Sequence, residues 1–446
     1  MLFSREDLKR LIVPLMLEQL LAITVGMADT MMVSSVGEAA MSGVSLVDAI
    51  NLLLINLFSA LATGGAVLTS QYLGRKELKN AGLAARQLLY TVLAASLLIM
   101  AACLLVRTQL LNALFGHVEK AVMDSAQIYF LISVFSYPFL AVYNGAAALF
   151  RAMGNSKISL HTSVMMNLVN IVGNALFIFV FRWNVMGAAL ATLMARAAGA
   201  IVMLQTLRRS RQAIALPSLR SFAWRWDMAK GILAVGIPTG LENSLFQLGK
   251  VLLNRLISTF GTVSIAANAV AVSFSSVQII PGMAIGLAMV TVIGRCVGAK
   301  AFDQAQAYTK RLMALTYATV GLLNLLLLLL TPFLLTFFSL SPASRQLAYT
   351  LIITHGIGSM ITWPLAFTLP NALRAANDAR YTMTISVFSM AAFRVGGSFL
   401  LANTLGIGVW GVWLAQQVDW LFRLAAFTGR FSSGKWKTKT LIKEEA

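Results

Sequence analysis

Apolar residues along this chain come in runs too long and too unbroken for the interior of a soluble domain. No Asp, Glu, Lys or Arg interrupts residues 49–74, 87–106, 125–150, 256–294 or 312–344. A helix crossing the hydrocarbon of a bilayer needs about 20 mostly apolar residues, so several of these runs suffice by themselves. Cutting the chain at turn residues and charge clusters predicts twelve spans, at about 11–33, 44–70, 87–106, 126–149, 159–181, 186–207, 232–256, 265–293, 312–337, 347–371, 381–403 and 407–428. The expected fold is an all-α polytopic membrane protein.

Charge orients these spans. Only 11% of residues are charged, against roughly 25% in a soluble domain, and the basic ones alternate from one connection to the next. Clusters at 5–10, 75–86, 151–157, 208–230, 295–311, 374–380 and 423–443 face one side, while the other side holds Arg107, Lys120, Arg182, Arg255 and Arg345. Cytoplasmic loops carry the excess of Lys and Arg, which predicts a multi-pass protein of the plasma (inner) membrane with both termini cytoplasmic. The net charge of +19 is thereby explained by orientation and by attraction to anionic lipid in the bilayer, not by a nucleic-acid partner. Cys103 and Cys296 fall on opposite sides of this topology, so no disulfide is expected. The amino-terminal MLFSREDLKRLIVPL lacks a small-residue cleavage signature and reads as a retained first helix.

The halves of the chain repeat. An offset of 224 pairs Pro14 with Pro238, Glu18 with Glu242, Gly37 with Gly261 and Gly74 with Gly298, and an offset of 223 pairs Arg151-Ala152 with Arg374-Ala375. With 9 Pro in the whole chain, the Pro-x-x-x-Glu match is the informative one. The expected organisation is a six-helix lobe over 1–207, a cytoplasmic linker over 208–230, a second six-helix lobe over 231–428 and a basic cytoplasmic tail over 429–446. Six spans per repeat is even, so the two bundles are related by an axis along the membrane normal, an arrangement suited to alternating access. Pro14, Pro138, Pro238, Pro281 and Pro364 are expected to kink their helices.

Several segments together resemble the multidrug and toxic compound extrusion (MATE) family. They are MADTMMV (27–33), GGAVLTSQYLGRKELKNA (64–81) with its counterpart AMVTVIGRCVGAKAFDQA (288–305), ALFRAMGNSK (148–157) with NALRAANDAR (371–380), and GVWGVWLAQQVDW (408–420). The resemblance covers nearly the whole chain. It implies a V-shaped pair of six-helix lobes that exports organic cations in exchange for inward H⁺ or Na⁺, and it does not choose the ion. It also implies a cation-coupling site on Asp29, Asn170, Asn174 and Thr192. Some relatives carry Asp where this chain has Asn174, so one carboxylate stands here where they have two.

Intramembrane carboxylates are functional candidates by default. Asp29 could take up a proton or supply the charge of a sodium site, and Asn170 and Asn174, four residues apart, share a helix face; both asparagines could equally be interhelical hydrogen-bond glue. Glu18 and its repeat mate Glu242 lie toward the cytoplasmic side and are candidates for a substrate or gate role, together with Phe246 and Tyr143. One branch of the family has Glu where Phe246 stands. Asp419, with Arg423 four residues on and Arg394 in the neighbouring span, reads as a structural ion pair. Lys250 and Arg196 are left without an assigned role. His117, His161 and His355 are scattered, so no metal site is expected. No Gly-rich phosphate loop, clustered Asp motif or Ser/His pair occurs, so neither an enzyme nor a cofactor is expected. The expected function is a secondary antiporter for small amphipathic organic cations, working as a monomer. The alternative is a lipid-linked oligosaccharide flippase of the wider superfamily.

Overall fold

The computed structural model describes residues 2–209, 214, 223–439, 441 and 442, so most of the 210–222 connection and the end of the tail lie outside the described residues. Helix α1 (Arg5–Ser34) starts at a reciprocal cap: the Asp7 amide donates to the Ser4 hydroxyl at 3.1 Å, and the Ser4 amide donates to the Asp7 carboxylate at 2.8 Å. It is followed by α2 (Glu38–Gly74), α3 (Leu78–Leu105), the short α4 (Arg107–Phe115), α5 (Lys120–Ala152), α6 (Ser156–Asn174) and α7 (Asn184–Arg209). Beyond the connection come α8 (Trp226–Ser258), α9 (Thr262–Gln278), α10 (Ile280–Gly298), α11 (Phe302–Leu334), α12 (Pro342–Ile361), α13 (Pro370–Ala375), α14 (Ala379–Ser389), α15 (Gly397–Phe399) and α16 (Val409–Ser432). Helices α7 and α8 therefore extend into both ends of the segment expected to be a linker. No strand occurs among the described residues.

Among the described residues nine helices are long and apolar enough to cross a membrane, and a tenth span forms if α12 is joined to the segment Pro364–Ala375 across a 64° bend. Helices α8 and α16 fall short of that apolar standard because Glu242, Lys250, Asp419 and Arg423 sit inside them. The span expected over 265–293 is broken at Ile279, and Pro281 lies in the first turn of α10, where its missing amide costs nothing, so it starts a helix instead of kinking one. Along α11 Leu322, Leu325, Leu326, Leu329 and Leu330 are all exposed, a surface that suits lipid and not water.

Two compact units result, Phe3–Gly240 and the part from Leu241 onward with Leu2, so the division falls within α8. In the first unit α2 packs along α5, and a Cβ on Gly43 would lie 2.7 Å from the Val122 carbonyl oxygen. Only glycine permits that approach. Phe58, Phe130, Tyr137 and Phe150 are fully buried in this unit. In the second unit α9 and α12 close around Phe274, Leu351, Ile352 and Trp413.

The repeat is written in the backbone as well as in the side chains. Apart from Gly434, the left-handed residues among those described come in pairs at offsets of 223 or 224: Gly37 and Gly261, Lys76 and Lys300, Gly154 and Asn377, Arg182 and Gly406, Asn184 and Gly408. The turns at Lys76 and Lys300 match bond for bond. The Lys76 amide donates to Leu73 and the Glu77 amide to Tyr72, as Lys300 does to Val297 and Ala301 to Cys296. After α6 the helix widens over Ala175–Val180, and the corresponding stretch Leu400–Thr404 does the same. The second unit has wide turns over Pro364–Thr368 and Met390–Gly396 as well.

Candidate functional site

The first unit gathers its polar residues from three helices. α1 brings Asp29, α6 brings Asn170 and Asn174 from one face, and α7 brings Thr192; α6 packs against both of the others. The Asn174 amide donates to Asp29 Oδ1. Asn170 Oδ1 lies 3.4 Å from the Asn174 amide nitrogen, and the Asn170 amide donates to Thr192 Oγ1 at 3.2 Å. Asn174 is fully buried, and its Oδ1 has no hydrogen-bond donor. All four residues named from the sequence are thus connected, in one oxygen-rich cluster. The wide turn Ala175–Val180 begins directly after Asn174, and such turns recur at functional sites.

A second acid belongs to this neighbourhood and was not singled out in the sequence. Asp48 accepts from the Asn51 amide at 3.1 Å, Asn51 in turn accepts from the Tyr137 hydroxyl at 2.9 Å, and the Tyr129 hydroxyl approaches the Asp48 carboxylate. Asp29 and Asp48 repel one another, and Arg196 attracts both while donating to Ser136 Oγ at 2.6 Å. Arg196 is therefore the counter-cation of the acid pair. Asp48 borders the uncharged run at 49–74 and lies within the span expected over 44–70, but it was not weighed among the intramembrane acids. Helix α2 begins at Glu38, ten residues earlier. The Asp48, Asn51 spacing on one helix face was the available signal.

Toward the other end of the first unit, Ser159 Oγ lies 2.9 Å from both carboxylate oxygens of Glu18. Arg151 attracts Glu18 and Tyr143 lies against the same Ser159, so Glu18 and Tyr143 do come together. The mates in the second unit are tied more tightly: Arg374 Nη2 donates to Glu242 Oε1 at 2.7 Å, with both side chains nearly buried. Glu242 is held in an ion pair, not presented as a free carboxylate. Arg374 also donates to Asn371 Oδ1 at 3.0 Å.

Deeper in the second unit Asp419 is shared. Arg394 Nε lies 3.0 Å and Arg423 Nε 2.7 Å from its two oxygens, Ser389 Oγ donates to it at 2.5 Å, and Arg423 also donates to the Ser386 carbonyl at 3.0 Å. Three cations surround the Phe246 ring: Arg394 at 4.9 Å, Lys250 at 5.1 Å and Arg423 at 5.4 Å from its centroid. His355 is buried against Gln278 Oε1 at 2.5 Å, with the Trp413 and Trp420 rings edge-on to it. His117 and His161 are exposed and apart, and no group of acids, His and Cys among the described residues could hold a metal. At the repeat offset Arg394 stands where the first unit has Asn170, and Leu253 where it has Asp29.

The MatE family model matches the chain twice, over 14–176 and 238–400, so that the matches begin at the paired prolines. The chain is 27% identical to the uncharacterized transporter YisQ of Bacillus subtilis (strain 168), over 96% of this chain and 94% of that protein. It is 23% identical to the probable multidrug resistance protein NorM of Thermotoga maritima, over 99% and 95%. Its fold resembles an outward-facing multidrug resistance MATE transporter of the MOP superfamily, with TM-score 0.88, 19% identity and coverage of 97% and 96%. A MOP superfamily transporter from Pyrococcus furiosus, described as having a binding pocket of reverse polarity, matches with TM-score 0.88, 20% identity and the same coverage.

Proposed function

The chain belongs to the MatE family, and from that premise we propose that it is a secondary antiporter exporting small amphipathic organic cations from the cytoplasm in exchange for inward H⁺ or Na⁺. Members of the family are transporters and not enzymes, and relatives along the full length of the chain bear multidrug resistance names. The protein works as a monomer in the plasma membrane, with both termini cytoplasmic, as its basic loops favour.

The observation that carries the coupling reading is the Asp29 cluster. A carboxylate at depth in a membrane helix is costly and calls for a function. Asp29 meets the neutral Asn174 amide and a more distant guanidinium in place of a direct salt bridge, so its charge is free to be cancelled by an incoming cation. A proton would do so on Asp29 itself. Sodium would draw on hard oxygen donors, and Asp29, Asn170 Oδ1, the unsatisfied Asn174 Oδ1 and Thr192 Oγ1 supply them. Binding of either ion changes the charge of the cluster and so biases the equilibrium between access states.

Efflux of a cationic dye from proteoliposomes, with proton and sodium gradients imposed separately, tests this. Transport driven by one gradient, and lost in Asp29→Asn while the protein still inserts, is the expected result. Full efflux in Asp29→Asn would remove that carboxylate from coupling. Translocation of a lipid-linked sugar, with no dye movement under either gradient, would favour a flippase.

A further inference from the structure

The second unit carries more positive charge at span depth than its acids neutralise. Asp419 is occupied by Arg394 and Arg423, and Glu242 by Arg374. Lys250 faces the Phe246 ring at 5.1 Å beside Arg394, with no carboxylate among the described residues joined to it. A charge inside a membrane protein ordinarily pairs or marks a substrate path, and like charges sharing one aromatic ring repel. Lys250 is exposed, with the Phe246 ring and the Arg394 guanidinium beside it.

The geometry points to an anion subsite in the second unit: Lys250, flanked by the Arg394 and Arg423 guanidiniums on the Phe246 ring, receives an oxyanion of the transported molecule, a carboxylate or a phosphate. The inference rests on the transport reading above and deepens it, because it adds an oxyanion to the chemistry of the transported amphiphile. Lys250 supplies a point charge with three donors, and Phe246 a flat apolar face for the adjoining scaffold. The two guanidiniums stay on Asp419 and contribute field without giving up their bonds. Nothing covalent changes hands.

Equilibrium binding to the purified protein in detergent, with a rhodamine carrying a free carboxylate and its ethyl ester as probes, tests the subsite independently of any gradient. The acid is expected to bind more tightly than the ester. Lys250→Met is expected to lower the acid-to-ester affinity ratio about tenfold, as loss of a charge-assisted contact does. Lys250→Arg should restore most of the ratio, which keeps the test decisive if the Met variant folds poorly. Equal loss for acid and ester in Lys250→Met, or an unchanged ratio, would overturn the subsite. Adding phosphatidylglycerol separates the two sources: competition against the acid alone, abolished in Lys250→Met, identifies a lipid phosphate, and absence of competition identifies a soluble carboxylate. If the dyes bind with the expected ratio yet no gradient moves them, antiport fails while the subsite stands.

Discussion

The two units share one helical plan and treat buried charge in opposite ways. In Phe3–Gly240 the acids Asp29, Asp48 and Glu18 are met mainly by amides and hydroxyls, with Arg196 and Arg151 acting from further away. In the unit from Leu241 onward the acids Glu242 and Asp419 are each locked directly onto guanidiniums, and Lys250 is left over. The difference teaches where change is possible. A carboxylate held by neutral groups can gain or lose a cation while its neighbours adjust their hydrogen bonds. A carboxylate shared by two buried guanidiniums cannot, because removing its charge strands theirs.

The sharpest break between the units is expected from the paired acid-to-amide substitutions. Asp29→Asn should reduce gradient-driven efflux to background while moving the unfolding temperature little, since an amide at this position still offers Asn174 an acceptor. Asp419→Asn should do the reverse in kind. It should cost about 3–5 kcal/mol of stability, the scale for breaking a buried ion pair by removing one partner, read as a large drop in thermal unfolding temperature in detergent. Comparable destabilisation by both substitutions would erase the distinction.

The glutamate mates give a smaller version of the same contrast. Glu242→Gln leaves Arg374 buried beside a neutral partner and should cost about 2–3 kcal/mol. Glu18→Gln keeps a hydrogen-bonding oxygen for Ser159 and should cost about 1 kcal/mol. Denaturant midpoints of the two variants, compared directly, check the order. An inverted order would mean that the Glu18–Arg151 attraction matters more than the direct pair.

The smallest effects belong to two ion pairs near helix ends. Arg430 grips Asp378 through two bonds, at 2.6 and 3.1 Å, with the Tyr381 ring 4.7 Å away. Arg430→Ala should cost about 1–2 kcal/mol. Arg225 and Asp227 are both at least half exposed, and Arg225→Ala should cost no more than about 0.5 kcal/mol. Arg225 holds the Asp227 carboxyl below its ordinary value of 3.8. A lowered folded value contributes stability that is present above 3.8 and fades as pH falls below it, so any penalty in Arg225→Ala should shrink in acid. A penalty constant from pH 7 down to pH 2 would assign it to lost packing.

Much of this was legible one residue at a time. Hydrophobicity is a local property, so uninterrupted apolar runs reported the spans, and alternating basic loops suggested an orientation. The Pro14 and Pro238 pair announced the repeat that recurs in the left-handed turns. Charge blurred the same signal in α8 and α16. The 64° bend after α12 falls at Pro364, where the sequence led one to expect a kink, whereas the break at Ile279 escaped it because helix breaks arise from packing as well as composition. Partnership belonged to the tertiary structure alone. Asp29 and Asn174 lie 145 residues apart in the chain, and Glu242 and Arg374 lie 132 apart. Which acids are locked, which stay open, and which cation is left without an acid follow from how those helices pack, since electrostatic energy depends on distance and surroundings that no stretch of sequence encodes by itself.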